Sequence, residues 1–345
     1  MAFPKEVGLD SFHQQPPFER YRPTVEKTVR SIILDEATLS SDMLSHHFGD
    51  GLLPGKLIRP SLCLLAIDAF GGHWEKAAPA AAAIELLHNF TLIHDDIQDE
   101  DVKRHGRPTV WKTFGIGQGI NAGDSVSYIS TLAMLRLSQN GFPPEQVLNV
   151  VQLLTETGKT VIDGQIMDIG FESRLDVTTE EYLEMISKKT GKLIESSMVI
   201  GAHLSKASDK QMEAIKLFGA NLGRIFQLSD DILGIWGEEA ATGKQANQDI
   251  VRKKKSLPVI LALNATDQKG TQKLRDIYSP EKKELDEAEV KMVLEIFEKM
   301  RIKEQAQKML LETVDEAIDS ISDLENGWAK SDFTKVVALI SSRNK

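Results

Sequence analysis

The sequence predicts an all-α protein, and three observations carry that expectation. Apolar residues recur at three- and four-residue spacing through most of the chain, and almost no stretch alternates with period two. Short Gly-, Pro-, Ser- and Asp-rich turns separate these stretches. Helix-start signals punctuate them: Pro144-Glu145-Gln146, and Thr178 with Glu181, Ser208 with Gln211, and Asp286 with Glu289, the last three spaced as capping boxes.

In chain order, the periodicity places helices near 23–47, 58–70, 79–100, 121–138, 144–171, 179–204 and 209–236. Others follow near 256–264, 287–301, 303–322 and 330–342, and the mixed-charge segment 282–289 reads as a solvated helix start or loop. No Pro/Gly/Ser linker divides two composition regimes and no fixed-period repeat occurs, so one helix-rich domain over 1–345 is expected, with a motif-bearing core at about 50–265 and C-terminal helices over 266–345.

Composition narrows the function classes. With 41 Lys+Arg against 51 Asp+Glu, the formal charge of the 345 residues is −10, which argues against a general nucleic-acid binder. Anionic ligands would need local Lys/Arg clusters or metal ions. Cys63 is the single cysteine and lies in an apolar run, which excludes an internal disulfide and a cysteine-based zinc site. The amino terminus lacks a basic stretch followed by an apolar core, and no apolar stretch is long enough for a membrane span, so a cytoplasmic protein is expected.

The strongest local signal is Leu92-Ile-His-Asp95-Asp96-Ile-Gln-Asp99-Glu100-Asp101 at the end of an otherwise apolar helix. Asp95 and Asp99 share one face, where like charges weaken a helix unless a cation lies between them. The same stripe, followed backwards, holds Thr91, His88 and Ile84, an apolar-to-acidic gradient suited to a greasy pocket with a metal at its mouth. A second acidic pair, Asp230-Asp231, is embedded in the apolar helix sequence 226–234. Two carboxylate clusters on two helices could face each other across a cavity. Hard oxygen donors of this kind suit Mg²⁺, with Mn²⁺ as a possible substitute, bound through one or two carboxylates plus phosphate oxygens.

Cations come in small groups: Gly55-Lys56-Leu57-Ile58-Arg59-Pro60, Lys103-Arg104-His105-Gly106-Arg107-Pro108-Thr109, Lys188-Lys189-Thr190, Gly243-Lys244 and Arg252-Lys253-Lys254-Lys255. In an acidic chain they are candidates to neutralise diphosphates. Gly243-Lys244 lacks the rest of the Walker pattern.

Taken together these motifs resemble the trans-isoprenyl diphosphate synthase (polyprenyl synthetase) family. The matching residues are Gly55-Lys56-x-x-Arg59-Pro60, Asp95-Asp96-x-x-Asp99, Arg104-x-Gly-Arg-Pro-Thr109, Gly164-Gln165-x-x-Asp168, Lys189-Thr190, Phe226-Gln227-x-x-Asp230-Asp231, Gly243-Lys244, and Asp249-Ile250 with Lys254-x-Ser-Leu-Pro258, in family order. The resemblance implies an isoprenoid-synthase helical bundle around a central active-site cavity, usually a homodimer. It implies condensation of isopentenyl diphosphate with an allylic diphosphate (dimethylallyl, geranyl or farnesyl). Asp95, Asp96, Asp99 and Asp230, with Asp231 close by, would hold the metal ions; Arg104, Lys189 and Lys254 would bind the allylic diphosphate. Lys56, Arg59 and His88 match the isopentenyl diphosphate site, Thr190 and Gln227 lie near the reacting carbon, and Gln165 and Asp168 support them from a neighbouring helix.

The chain departs from the family pattern at two positions. His105 stands where a second arginine is usual, so a permanent charge is replaced by a titrating one, unless Lys103 or Arg107 supplies it. Gly234 stands where a third aspartate of the second motif is common. Phe90 and Thr91, the fifth and fourth positions upstream of the first acidic motif, resemble the chain-length residues of C20 geranylgeranyl diphosphate synthases, although on an ideal helix Phe90 lies about 140° from Asp95. A C15 farnesyl diphosphate synthase and a terpene cyclase or prenyl-acceptor transferase are the alternatives.

Overall fold

The computed structural model describes residues 16–49, 51–237, 247–279 and 284–341. They are almost entirely helical. The exception is an antiparallel pair of two-residue strands, β1 (Lys103–Arg104) and β2 (Arg107–Pro108). The all-α expectation is borne out. Gly243-Lys244, Lys282 and the amino-terminal decapeptide lie outside the described residues.

Two compact units partition the chain: one comprises 1–158, 196–216 and 325–332, the other 159–195, 217–324 and 333–345. In the first, helix α1 (Pro17–Glu36), α2 (Ser41–Phe48), α3 (Ile58–Ala69), α4 (Ala78–Gln98), α5 (Val110–Phe114) and α6 (Ile116–Leu135) succeed one another. Helix α4 is the centre, packed against α1, α3 and α6. Its first half, Ala78-Pro-Ala-Ala-Ala-Ala-Ile, is buried on every side. A helix that is apolar all round belongs in an interior, and alanines let neighbouring backbones approach.

The long helix α7 (Pro144–Glu172) starts at the expected proline. Then come α8 (Thr179–Ile186), a π-helical turn (Ser187–Gly191), α9 (Lys192–Leu204), α10 (Asp209–Trp236), α11 (Gln248–Val251), α12 (Leu257–Leu263), α13 (Gln268–Ile277), α14 (Glu287–Lys299), α15 (Ile302–Ser320) and α16 (Gly327–Ser341). In the second unit α12 is the hub, against α8, α13, α14 and α15. Val259, Leu263, Leu274, Val293, Phe297 and Ile302 form its buried core. All three expected capping boxes form, at Thr178/Glu181, Asp286/Glu289 and Ser208/Gln211.

Two predicted helices need correction, and α5, α11 and α13 have no counterpart among those expected. The helix expected over 23–47 is two helices, broken around 37–40, where Thr38 and Ser40 favour turn geometry. The helix expected over 179–204 contains the π turn at Ser187–Gly191. Helix α13 escapes prediction because only Thr271 and Leu274 of its ten residues are buried, too few to register as a period.

Two buried polar contacts tie the first unit together. The Arg20 guanidinium pairs with Asp332 at 2.5 Å with both side chains essentially inaccessible, fastening the segment 325–332 to α1. The amide of Asn89 on α4 donates to Glu85 Oε1 at 2.9 Å, while its oxygen lies 2.8 Å from His47 Nε2 on α2. That oxygen can only accept, so Nε2 carries the proton. Burial lowers His47 to about 4, with nearby Arg104 and Arg107 adding to the hydrogen-bond-opposed shift.

Removing one partner of a buried ion pair strands the other charge. Asp332→Ala is therefore expected to lower stability by about 3–5 kcal/mol, read from urea unfolding, whereas Arg20→Met with Asp332→Leu recovers most of it. His47 binds a proton near 6.5 when unfolded and near about 4 when folded, so its contribution is present above pH 6.5 and is lost as pH falls through 4. Its full size is about 3 kcal/mol. His47→Gln should flatten the fall of melting temperature across that window.

Candidate active site

In the first unit the acidic motif occupies the last turn of α4. Asp95 and Asp96 are helical, Asp99 is the C-cap residue, and Glu100 is left-handed at φ 55°. Carboxylates at a helix C-terminus oppose the macrodipole, so this end needs cationic compensation. Arg104 on β1 provides it, donating Nε–H to Asp96 Oδ1 at 2.7 Å. Burial pushes the Asp96 carboxyl up to about 6, against the pull of Arg104 and with Asp101 and Asp95 adding to the rise.

The hairpin that aims Arg104 turns at His105-Gly106, both left-handed at φ 49° and 76°, as a two-residue turn of the primed type requires. Thr109 Oγ1 and Trp111 Nε1 both donate to the Asp101 carbonyl, at 2.9 and 2.8 Å, closing the chain behind the acids. His105 is exposed at the tip and is lowered below its usual value by partial burial and by Arg104 and Arg107, so it is neutral at pH 7. Arg107 donates to the His47 carbonyl at 3.0 Å and is bound into the scaffold.

Further along the same unit, Arg59 Nη1 stands 3.2 Å from His88 Nε2. Burial, then Arg59, lower His88 well below its usual value, so the ring is neutral and Nε2 accepts from the guanidinium. Lys56 is exposed two residues before α3. Phe90 packs edge-on against His94 at 4.9 Å, and His94 Nε2 lies 3.3 Å from the Ile120 carbonyl, so Phe90 is on the α6 side of α4. Thr91 Oγ1 donates to the His88 carbonyl.

In the second unit the π turn carries Lys189 and Thr190. Such bulges recur at functional sites because they re-aim side chains within a helix. Gly164 makes this possible: a Cβ there would overlap the Lys189 backbone. One turn on, Asp168 accepts from Lys189 Nζ at 2.5 Å. Gln165 lies between them, half-buried.

A second chain of contacts runs from Thr190 Oγ1 to Gln227 Oε1 at 2.7 Å, and from Gln227 Nε2 to Asp231 Oδ1 at 2.8 Å. Asp231 also accepts from the Tyr182 hydroxyl and from the Leu257 amide at 2.6 Å. Burial raises it to about 6 despite these donors. Both Asp231 oxygens thus serve protein donors, and the residue anchors the motif to α8 and to the start of α12, while Asp230 is the more accessible of the pair.

Of the cationic run 252–255, Lys254 is exposed, whereas Lys255 is buried over the Tyr278 ring at 5.0 Å and lowered to about 8 by burial. Gly234 is explained by Asp249: a Cβ at 234 would overlap the Asp249 carboxylate. A carboxylate therefore does occupy the neighbourhood of the missing third aspartate, delivered from α11. Asp249 was marked only as a motif match, with no role, and Tyr182 not at all; nothing local in the sequence marks a contact made across 49 residues or a glycine whose partner is distant.

The donor chemistry fits a divalent cation. Asp96 Oδ2 is buried and has no hydrogen-bond partner among the described residues, although Oδ1 is committed to Arg104. A desolvated carboxylate oxygen without a donor is costly unless a ligand completes it. Among the described residues no three His, Cys, Asp or Glu side chains form a closed cage.

Gly234→Asp, which restores the residue usual in the resembling family, is expected to destabilise this protein by about 1–3 kcal/mol through overlap with Asp249. Asp249→Ala in the same chain should recover most of that loss in thermal unfolding; equal melting temperatures for wild type and Gly234→Asp would refute the packing assignment.

The polyprenyl synthetase family model matches residues 41–297, a span that includes segments of both units. A short chain isoprenyl diphosphate synthase of Methanothermobacter thermautotrophicus is 38% identical over 289 residues, covering 84% of this chain and 86% of that protein. A geranylgeranyl diphosphate synthase of Sulfolobus acidocaldarius is 38% identical over 240 residues, 70% of this chain and 72% of that one. The crystal structure of a polyprenyl synthetase from Streptomyces coelicolor superposes with a TM-score of 0.86 at 32% identity, covering 94% of this chain and 98% of the other. With the acidic motifs, their cations and the helical architecture all in family order, this chain belongs to the polyprenyl synthetase family.

Proposed function

We propose that the protein is a Mg²⁺-dependent prenyltransferase that joins isopentenyl diphosphate to an allylic diphosphate and releases a short-chain all-trans prenyl diphosphate, C20 geranylgeranyl diphosphate. The observation that carries this reading is the Asp96 carboxylate, held by Arg104 through one oxygen while its buried second oxygen has no hydrogen-bond partner among the described residues. The C20 assignment is supported by the Phe90/Thr91 pair and by the relatives whose names specify that product.

Asp95, Asp96, Asp99 and Asp230 are the proposed metal ligands, with Asp231 fixing the second motif from behind. Bound divalent ions would neutralise the diphosphate whose charge grows as the allylic carbon–oxygen bond breaks. Arg104, Lys189 and Lys254 add fixed positive charge to the same leaving group, in the manner of electrostatic preorganisation. Lys56, Arg59 and His88 bind the diphosphate of the second substrate; because His88 is neutral and accepts from Arg59, it holds the guanidinium in place without competing for charge.

Heterolysis leaves an allylic cation, and the acceptor oxygens of Thr190 and Gln227 are the dipoles assigned to it. Gln227 cannot flip, because its NH₂ donates to Asp231 while its oxygen accepts from Thr190. The isopentenyl double bond then forms the new carbon–carbon bond, and a proton leaves the adjacent carbon for the departing diphosphate. The reaction requires that water be kept from the cation.

A homodimer is proposed as the working assembly. Ile116, Ile120, Tyr128, Leu132 and Leu135 lie exposed along one stripe of α6, spaced by multiples of three and four residues. None of the helices searched among the described residues is long and apolar enough to cross a membrane.

Pure protein incubated with Mg²⁺, isopentenyl diphosphate and each allylic primer in turn should yield a C20 product on chromatographic sizing, and chelation should abolish it. Release of only C15, or of chains beyond C25, rejects the product assignment; a hydrocarbon or a prenylated acceptor formed without consuming isopentenyl diphosphate rejects the reaction.

A further inference from the structure

The loop that delivers Lys56 and Arg59 is built from conformations that do not hold themselves. Gly49 and Gly55 are left-handed at φ 69° and 83°, and Leu57, directly between Lys56 and α3, is left-handed at φ 50° although it carries a side chain. A non-glycine residue stays in that region only where its surroundings dictate it. Leu57 is buried, which fixes its side chain. The backbone just before it is held from outside the loop.

That restraint comes from α1. Arg22 Nη2 donates to the Leu53 carbonyl at 2.7 Å and Nη1 to the Gly55 carbonyl at 3.0 Å, while Nε pairs with Glu26 at 2.8 Å. Arg30, about two turns further along the helix, donates from Nη1 to the Gly49 carbonyl at 2.9 Å and from Nη2 to the Gly51 carbonyl. The planar guanidinium, ion-paired with Glu26 at Nε, presents two N–H groups in a rigid fork, which a lysine cannot imitate. Four alternate loop carbonyls are thereby tied to one helix, and the two nearest the left-handed Leu57 belong to Arg22.

We propose that Arg22 is a positioning residue for isopentenyl diphosphate: it acts through the Leu53 and Gly55 carbonyls to aim Lys56 and Arg59, and does not itself meet the substrate. The inference rests on the function proposed above. Arg30 anchors the far end of the same loop and has a smaller share.

The test is steady-state kinetics of Arg22→Gln with each substrate varied in turn, beside hydrogen exchange of the full-length protein. Arg136→Gln is the control, since Arg136 pairs with Asp35 and Glu36 at the other end of α1 and touches no loop carbonyl. Arg22→Gln should raise KM for isopentenyl diphosphate about tenfold while KM for the allylic primer and kcat stay within about twofold. Amides of 51–57 should exchange faster in Arg22→Gln and unchanged in Arg136→Gln. Parallel rises in both KM values, an isopentenyl diphosphate KM within about twofold of wild type, or unaltered exchange at 51–57 would overturn the proposal. Failure of the wild type to consume isopentenyl diphosphate would instead refute the function, and the exchange comparison would still decide whether Arg22 holds the loop.

Discussion

The first unit is organised around the problem of ending a buried apolar helix in carboxylates. Ordinary helix ends favour cations at this terminus, yet α4 finishes with Asp95 and Asp96, is capped by Asp99 and is followed at once by Asp101. Asp96 is almost wholly inaccessible, and its desolvation is balanced on only one oxygen. Everything nearby serves that balance. The hairpin exists to return Arg104 to the helix end, and Thr109 and Trp111 close the connecting chain through the Asp101 carbonyl. The remaining imbalance is the ground on which a cation is proposed at this helix end.

The second unit solves a different problem, the fixing of neutral dipoles. Asp231 gathers the Tyr182 hydroxyl, the Gln227 amide and the Leu257 N–H, so one buried carboxylate registers α8, α10 and α12 together. Gln227 and Thr190 inherit their orientation from it. Such fully satisfied networks define a single geometry because each alternative rotamer would leave a buried group unpaired.

Much of this was legible in the sequence, and the boundary of legibility has physical reasons. Helix positions and capping boxes are local: Thr178 finds Glu181 within one turn, and the pattern of burial repeats every few residues. The acidic motifs were legible because like charges adjacent on an apolar helix need an external partner. The π turn was not, since it packs closely against Gly164 on another helix, and neither was the contrast in burial between Asp230 and Asp231, which depends on Tyr182 and Leu257. Lys254 and Lys255 are indistinguishable as letters; only packing against Tyr278 separates an exposed cation from an internal one. The loop contacts of Arg22 were equally hidden, because its partners there are carbonyls, which every residue possesses.

The hairpin tip shows how backbone stereochemistry can choose a residue that electrostatics alone would not. Strand pairing sets Arg104 directly opposite Arg107, two like charges side by side. The intervening position is left-handed, a region where histidine is enriched over longer cationic residues. An imidazole there satisfies the bend, and partial burial with the neighbouring Arg104 and Arg107 disfavours its charged form, so the ribbon bends without adding a permanent fourth cation to Lys103, Arg104 and Arg107.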